Sequence, residues 1–217
     1  MALAIFDLDN TLIGGDSDYL WAEFLVEHHI VDGEDYQKTN QEFYDQYLAG
    51  TMDIFAFLAF QLKPLADNSM TDLHHWRDRY LSEKIDPIIL PAAQALIAHH
   101  QKQGDTLLII TATNSFITAP IAKKIGIKNL IATEPEIING EYTGNVAGTP
   151  SYKQGKVERL NEWLTEQHHT LKGSYFYSDS HNDLPLLNLV DNPVAVDPDP
   201  QLQAVAQQQQ WKMISLR

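Results

Sequence analysis

The chain has 217 residues, and 15 Lys+Arg against 29 Asp+Glu leave a formal net charge of −14. That length suits one substantial domain or a core with a smaller insert, and 44% hydrophobic against 20% charged residues excludes a disordered chain. The acidic balance argues against nucleic acid or an anionic membrane as partner, since both are polyanions, and the absence of Cys excludes disulfides, thiolate metal sites and a cysteine nucleophile.

Along the chain, Ala2–Phe6 is a continuous apolar run, the mark of a strand covered on both faces. Asp7 and Asp9 follow at once, without a basic n-region before them, so the N-terminus does not read as a signal peptide. From Gly14 to about Asp86 no strand signal appears, only amphipathic stretches at Ser17–His28, Asp35–Leu48 and Thr71–Lys84. Within them Ile54–Phe60, the longest apolar run, is far too short to span a bilayer and reads as the buried face of a helix. A helix over Pro91–Gln103, stopped by Gly104, leads to a second strand, Thr106–Ile110. A helix over Ser115–Lys124 and a strand over Asn129–Thr133 follow, then an Asn139-Gly140 hairpin between Ile137 and Thr143, read as a surface flap. The remaining pattern is a helix over Lys153–Gln167, a strand over Ser174–Tyr177, a helix over Asp183–Leu189 and a strand over Val194–Val196. A helix ending near Gln207–Gln210 and a last short strand near Lys212–Ser215 close it.

Strands alternating with helices predict an α/β fold, Rossmann-like, with a mostly parallel sheet flanked by helices and an inserted all-helical segment. The expected division is a core of residues 1–13 and 87–217 and a helical insert of residues 14–86. A cytoplasmic protein without a membrane partner is the default expectation.

In open parallel sheets ligands bind beyond the carboxyl ends of the strands. There stand Asp7-Leu8-Asp9-Asn10-Thr11, Thr111-Ala112-Thr113-Asn114 and Ser178-Asp179-Ser180-His181-Asn182-Asp183, with Lys153 and Lys156 opening a nearby helix. Asp7, Asp9, Asp179 and Asp183 gathered in one crevice would repel unless a cation joined them. An all-oxygen set favours a hard ion, and Mg²⁺ takes one or two carboxylates, waters and a substrate phosphate. Lys156 and the Thr111 hydroxyl suit the other phosphate oxygens. Such a set facing a carboxylate nucleophile is machinery for phosphoryl transfer through an aspartyl-phosphate.

The series Asp7-x-Asp9-x-Thr11, Thr111 after an apolar strand, a Lys, and Asp179-x-x-x-Asp183 resembles the four motifs of the haloacid dehalogenase superfamily. The resemblance covers nearly the whole chain, and the helical insert is similar to the cap of one class of that superfamily. The stretches Gly15–Trp21 and Tyr177–Leu187 resemble a phosphoserine-phosphatase-like branch, whose members are often labelled phosphoserine or histidinol-phosphate phosphatases. It implies a phosphatase in which Asp7 attacks phosphorus and binds Mg²⁺. Asp9 would protonate the leaving alcohol, activate water and offer its backbone carbonyl to the metal. The resemblance further implies Asp179 as metal ligand, Asp183 and Asn182 as supports for metal waters and phosphate, Thr111 and Lys156 on the phosphoryl group, and Thr11 steadying the loop. Ser178 stands where many relatives have Gly. Lys156 fits the third motif better than Lys153, one turn away on the same face.

Phosphoserine phosphatases hold the substrate amine with an acidic residue and its carboxylate with a cap Arg. Asp16 falls at the acidic position and Gln61 at the Arg position, while Arg77 and Arg79 read as a solvated face. An acid without the Arg fits a small phosphorylated metabolite that bears an amine and no carboxylate, such as histidinol phosphate. Phosphoserine, or a phosphotransferase using the same aspartyl-phosphate, are the alternatives. The adjacent pairs His28-His29, His74-His75, His99-His100 and His168-His169 read as surface or half-buried positions, because neighbours on a helix point about 100° apart. His181 lies within the fourth motif. Oligomeric state is open.

Overall fold

A computed structural model describes residues 2–217; Met1, the first residue of the expected core segment, lies outside the described residues. The strands are β1 (Leu3–Phe6), β2 (Thr106–Asn114), β3 (Asn129–Thr133), β4 (Pro135–Ile138), β5 (Glu141–Val146), β6 (Tyr175–Ser178), β7 (Asn192–Val196) and β8 (Lys212–Ile214). Six of them form one sheet in the order β3-β2-β1-β6-β7-β8, every pairing parallel. The strand order reverses between β1 and β6, and such a switch point opens a crevice at the carboxyl ends. This is the Rossmann-like α/β fold.

The apolar runs are continuous because both sheet faces are covered. Ala4, Phe6, Leu107, Ile109, Tyr177 and Val194 belong to one buried cluster. Leu3, Ile5, Leu108, Ile110, Phe176 and Ala195 belong to the other, as a side-chain period of two requires. Helices α5 (Pro91–Gln103) and α6 (Ser115–Ile125) cover the first face, through Ala93, Ile97, Ile117 and Ile121. The second face is covered by α7 (Gln154–Glu166), the single turn α8 (Leu184–Leu187) and α9 (Pro200–Gln208), through Leu160, Leu186 and Leu202.

Between β1 and β2 the described elements are helical: α1 (Ser17–Glu27), α2 (Gly33–Ala49), α3 (Ile54–Asp67) and α4 (Met70–Tyr80). A π-helical turn at Leu81–Ile85 and a 3-10 turn at Asp86–Ile88 then return the chain to the sheet, so the regular helix expected to Lys84 loosens after Tyr80. The outgoing and returning strands of chain are tied together: Ile13 bridges Ile89, and the Gly14 N–H donates to the Ile88 carbonyl at 2.8 Å. Trp21, Phe24, Leu58 and Tyr80 are buried in the same cluster as Phe6 and Ile109, so the insert and the sheet share one core. The buried Tyr80 hydroxyl is satisfied by the Ser17 carbonyl at 2.7 Å.

Several expectations are corrected. The helix expected over Asp183–Leu189 is a 3-10 turn at His181–Asp183 followed by α8, which ends where the Asn188 side-chain amide takes the Leu184 carbonyl. β2 runs four residues past Ile110, with an irregular register against β3. The Asn139-Gly140 turn is present, with both residues at positive φ (55° and 86°), but its hairpin is not a free flap. Tyr142 packs on Phe116 at 5.6 Å, and a Cβ on Gly144 would lie 3.3 Å from Ala66 of α3. In α3 the apolar run splits: Leu58 is buried while Phe55 is exposed. His100 is buried rather than at the surface, with Nδ1 2.9 Å from Asp105 and Nε2 2.8 Å from the Tyr177 hydroxyl. Arg77 does not lie on a solvated face either; it donates to the Phe116 carbonyl at 3.1 Å and covers that ring.

Helix α7 starts in a tight place. A Cβ on Gly155 would lie 2.0 Å from the Pro150 carbonyl oxygen. Gly155→Ala is therefore expected to push the 150–156 segment apart and destabilise the protein by about 1–3 kcal/mol, measured by urea unfolding.

Candidate active site

Asp7 leaves β1 on one side of the switch point and Asp179 leaves β6 on the other. Between them rises Lys156, from the first turn of α7. Its Nζ donates to Asp7 Oδ1 at 2.7 Å and to Asp183 Oδ2 at 2.9 Å, with all three side chains buried. Burial alone would lower the Lys156 ammonium, but the two carboxylates outweigh it and hold it above its ordinary value. Asp7 moves the other way: loss of water pushes it up to about 8, against the pull of Lys156 and with the Asp183 and Asp9 charges adding to the rise. Lys153 does not share this place; it donates to the Gly50 carbonyl at 2.7 Å from a strained backbone (φ 47°, ψ −116°).

Asp9 is turned toward the insert. One oxygen accepts from the Ser17 backbone N–H at the start of α1 (2.7 Å), and the other from the Thr113 hydroxyl (2.8 Å) and, at 3.4 Å, from Thr111. Burial nevertheless raises its pKa above the ordinary carboxylate value, against the pull of these hydrogen bonds. Thr11 donates to Asp179 Oδ1 at 3.1 Å, tying the loop after β1 to the loop after β6. Burial and the charges of Asp7 and Asp183 push Asp179 well above the carboxylate range.

The expected residues thus converge, with some differences in partner. Asp183, expected beside the metal, faces Lys156 and the Ser178 hydroxyl (2.7 Å). Asn182, expected near the phosphate, is engaged elsewhere: its amide donates to the Tyr47 carbonyl at 3.0 Å and its oxygen accepts from Tyr152 at 3.2 Å. His181 pairs with Asp199 at 2.8 Å. Asp16 caps α1 by accepting from the Tyr19 N–H at 2.8 Å, and burial with the Asp9 charge raises it to about 7.

Above the crevice lies a cavity lined by Asp7, Asp9, Thr111 and Lys156 below and by Asp16, Asp18, Asn40, Phe43, Phe57 and Gln61 on the insert side. Thr113 lines it as well, and the sequence reading assigned no role in this site to Thr113, Asp18 or Asn40. Asp18 is buried against Asn114 (3.1 Å), and Asn40 is buried against Gln61 (3.4 Å). Thr113 could have been found, because it shares a strand face with Thr111. The other two depend on helix packing that no local pattern reports.

Four carboxylates with one ammonium leave the crevice short of positive charge. Among the described residues no three acidic or imidazole groups already form a ligating array. Mg²⁺, however, needs only one or two carboxylates besides water and backbone oxygens, and Asp7 and Asp179 offer hard oxygen donors of that kind. The donor set fits the ion.

A model of the haloacid dehalogenase-like hydrolases matches residues 4–188. The chain belongs to that family. It is 46% identical, over 99% of both chains, to a histidinol-phosphatase of Neisseria meningitidis. It is 28% identical to a phosphoserine phosphatase of Mycobacterium tuberculosis, over all of this chain and 71% of that one. Among solved structures, a protein from Bordetella pertussis superposes with a TM-score of 0.93 at 41% identity, covering 100% and 99% of the two chains. A phosphoserine phosphatase in a phospho-aspartyl intermediate analogue form reaches 0.73 at 16% identity, covering 100% and 93%, a likeness of fold. As a member of this hydrolase family, the chain is a phosphoric monoester hydrolase. No helix among its described residues is long and apolar enough to cross a membrane.

Asp16 yields a pH prediction for the metal-free hydrolase. Its folded pKa of about 7 exceeds the ordinary 3.8, so ionising it costs stability, nothing below about pH 4 and the full amount above about pH 7. Asn caps a helix as well as Asp does. Asp16→Asn should therefore raise Tm in EDTA, by an amount that grows as pH rises from 4 to 7, followed by thermal unfolding across that range.

Proposed function

We propose that this phosphatase hydrolyses a small amine-bearing phosphate monoester, with histidinol phosphate as leading substrate, through an aspartyl-phosphate on Asp7. The observation that carries the proposal is the buried Lys156 ammonium, 2.7 Å from one oxygen of Asp7, which leaves the other oxygen free to attack. In the first step Asp7 Oδ2 bonds to phosphorus, the bond from phosphorus to the alcohol oxygen breaks, and the proton of Asp9 passes to the leaving alcohol. In the second, Asp9 takes a proton from water, the water oxygen bonds to phosphorus, and the bond from phosphorus to Asp7 breaks, releasing phosphate. The raised pKa of Asp9 suits a group that gives up a proton and then recovers it. Lys156, with the Thr111 hydroxyl, offsets charge on the phosphoryl oxygens. Thr11 holds Asp179 in position.

Asp7 and Asp179 would hold Mg²⁺, helped by the backbone carbonyl of Asp9, with Asp183 steadying Lys156 behind them. The ion would neutralise phosphoryl charge and lower the pKa of Asp7, which is otherwise too high for a nucleophile at neutral pH. Residues 14–86 act as a cap over this core of residues 1–13 and 87–217, and the cavity between them is the leaving-group site.

Two findings favour histidinol phosphate over phosphoserine. The relative that matches at 46% identity along its whole length is a histidinol-phosphatase. In the cavity, Gln61 supplies no positive charge for a substrate carboxylate, whereas Asp16 is placed for an ammonium.

Asp7→Asn should abolish turnover of histidinol phosphate and of a generic aryl phosphate while circular dichroism and Tm show an intact fold; surviving activity would remove the covalent mechanism. With Mg²⁺, wild-type kcat/KM should favour histidinol phosphate over phosphoserine by roughly a hundredfold, or about 2.7 kcal/mol of transition-state discrimination. A comparable preference for phosphoserine would overturn the substrate assignment.

A further inference from the structure

Gln61 is 1% exposed, lines the cavity, and its carbonyl oxygen has no hydrogen-bond partner. The polarity of this amide is dictated by a relay of two helices. The Tyr19 backbone carbonyl can only accept, so the Asn40 side chain must turn its NH₂ toward it, at 3.3 Å. The Asn40 oxygen then faces Gln61 and can only accept, so Gln61 must turn its own NH₂ to Asn40, at 3.4 Å. That leaves the Gln61 oxygen without a partner, on a residue that lines the cavity. Reversing either amide would set two acceptors against each other.

An acceptor held in this way, buried and unpaired, costs about 1–3 kcal/mol unless a ligand donates to it. In the same lining Asp16 and Asp18 already accept, from the Tyr19 N–H and the Asn114 amide. Beside them Phe43 and Phe57 meet edge to face at 5.5 Å and give the chamber an apolar wall. A carboxylate entering here would face oxygen acceptors. A flat ring with an N–H at its edge and apolar faces would satisfy both the oxygen and the wall.

We propose that Gln61, oriented by Asn40, is a specificity-determining residue whose carbonyl oxygen accepts an N–H from a flat nitrogen heterocycle, such as imidazole, on the leaving alcohol. The inference deepens the reading of the cavity as the leaving-group site and rests on it. Asn40 acts through Gln61 and is a positioning residue.

The test is direct binding, measured by calorimetry on the Mg²⁺-loaded full chain with L-histidinol and with L-phenylalaninol, whose ring lacks the N–H. Wild type should bind histidinol at least about tenfold more tightly. Gln61→Met should bring the ratio close to one. Equal binding of the two alcohols by wild type, a preference that survives Gln61→Met, or no binding of histidinol at tens of millimolar would each overturn the proposal. The wild-type comparison decides without a variant should Gln61→Met fail to fold. Turnover does not enter the measurement, so a protein inactive on histidinol phosphate would count against the proposed reaction and not against this one.

Discussion

One buried ammonium holds the centre of this protein together. Lys156 is in contact with Asp7 and Asp183, which arrive from different strands, and among the described residues no other cation lines the crevice. Unit charges about 4 Å apart interact by roughly 4 kcal/mol at the effective dielectric of a protein. One positive charge therefore cannot settle Asp7, Asp9, Asp179 and Asp183 together. The consequence is seen in the carboxyl pKa values, with Asp7, Asp9 and Asp179 all raised by burial. Without a second cation the site binds protons where phosphoryl transfer needs anions, which is the physical reason the proposed chemistry calls for a divalent ion.

The fold supplies the geometry for that arrangement at little local cost. Parallel strands all end at one edge, so residues far apart in sequence become neighbours simply by following β1, β2 and β6. Gly155 lets α7 start close enough to Pro150 for Lys156 to reach the crevice. Asp9 is held by the first N–H of α1, so the helical insert begins on a carboxyl group of the crevice.

This is also why some features were legible in the sequence and others were not. Strand ends announce themselves as polar residues after apolar runs, and the sheet brings Asp7, Thr111, Asp179 and Lys156 to one edge in an order set by topology. Asn40 and Gln61 carry no such mark. Each lies in an amphipathic helix, and their pairing exists only because α2 and α3 pack side by side. His100 misled for a related reason: adjacent His residues look like surface, yet a carboxylate and a phenol reached from other elements satisfy both ring nitrogens. Asn182 sits where the resemblance expects it, but its side chain points to α2, a choice made by tertiary neighbours.

That last contact has a wider meaning. Asn182 grips the Tyr47 carbonyl in the last turn of α2, and Lys153 grips that of Gly50, the residue that caps it. Each gripping residue lies within three positions of a side chain in the Asp7–Lys156–Asp183 cluster. Any displacement of the end of α2 would therefore load the two segments that carry Lys156 and Asp183. The helical insert and the buried ion cluster are thus coupled through two backbone carbonyls.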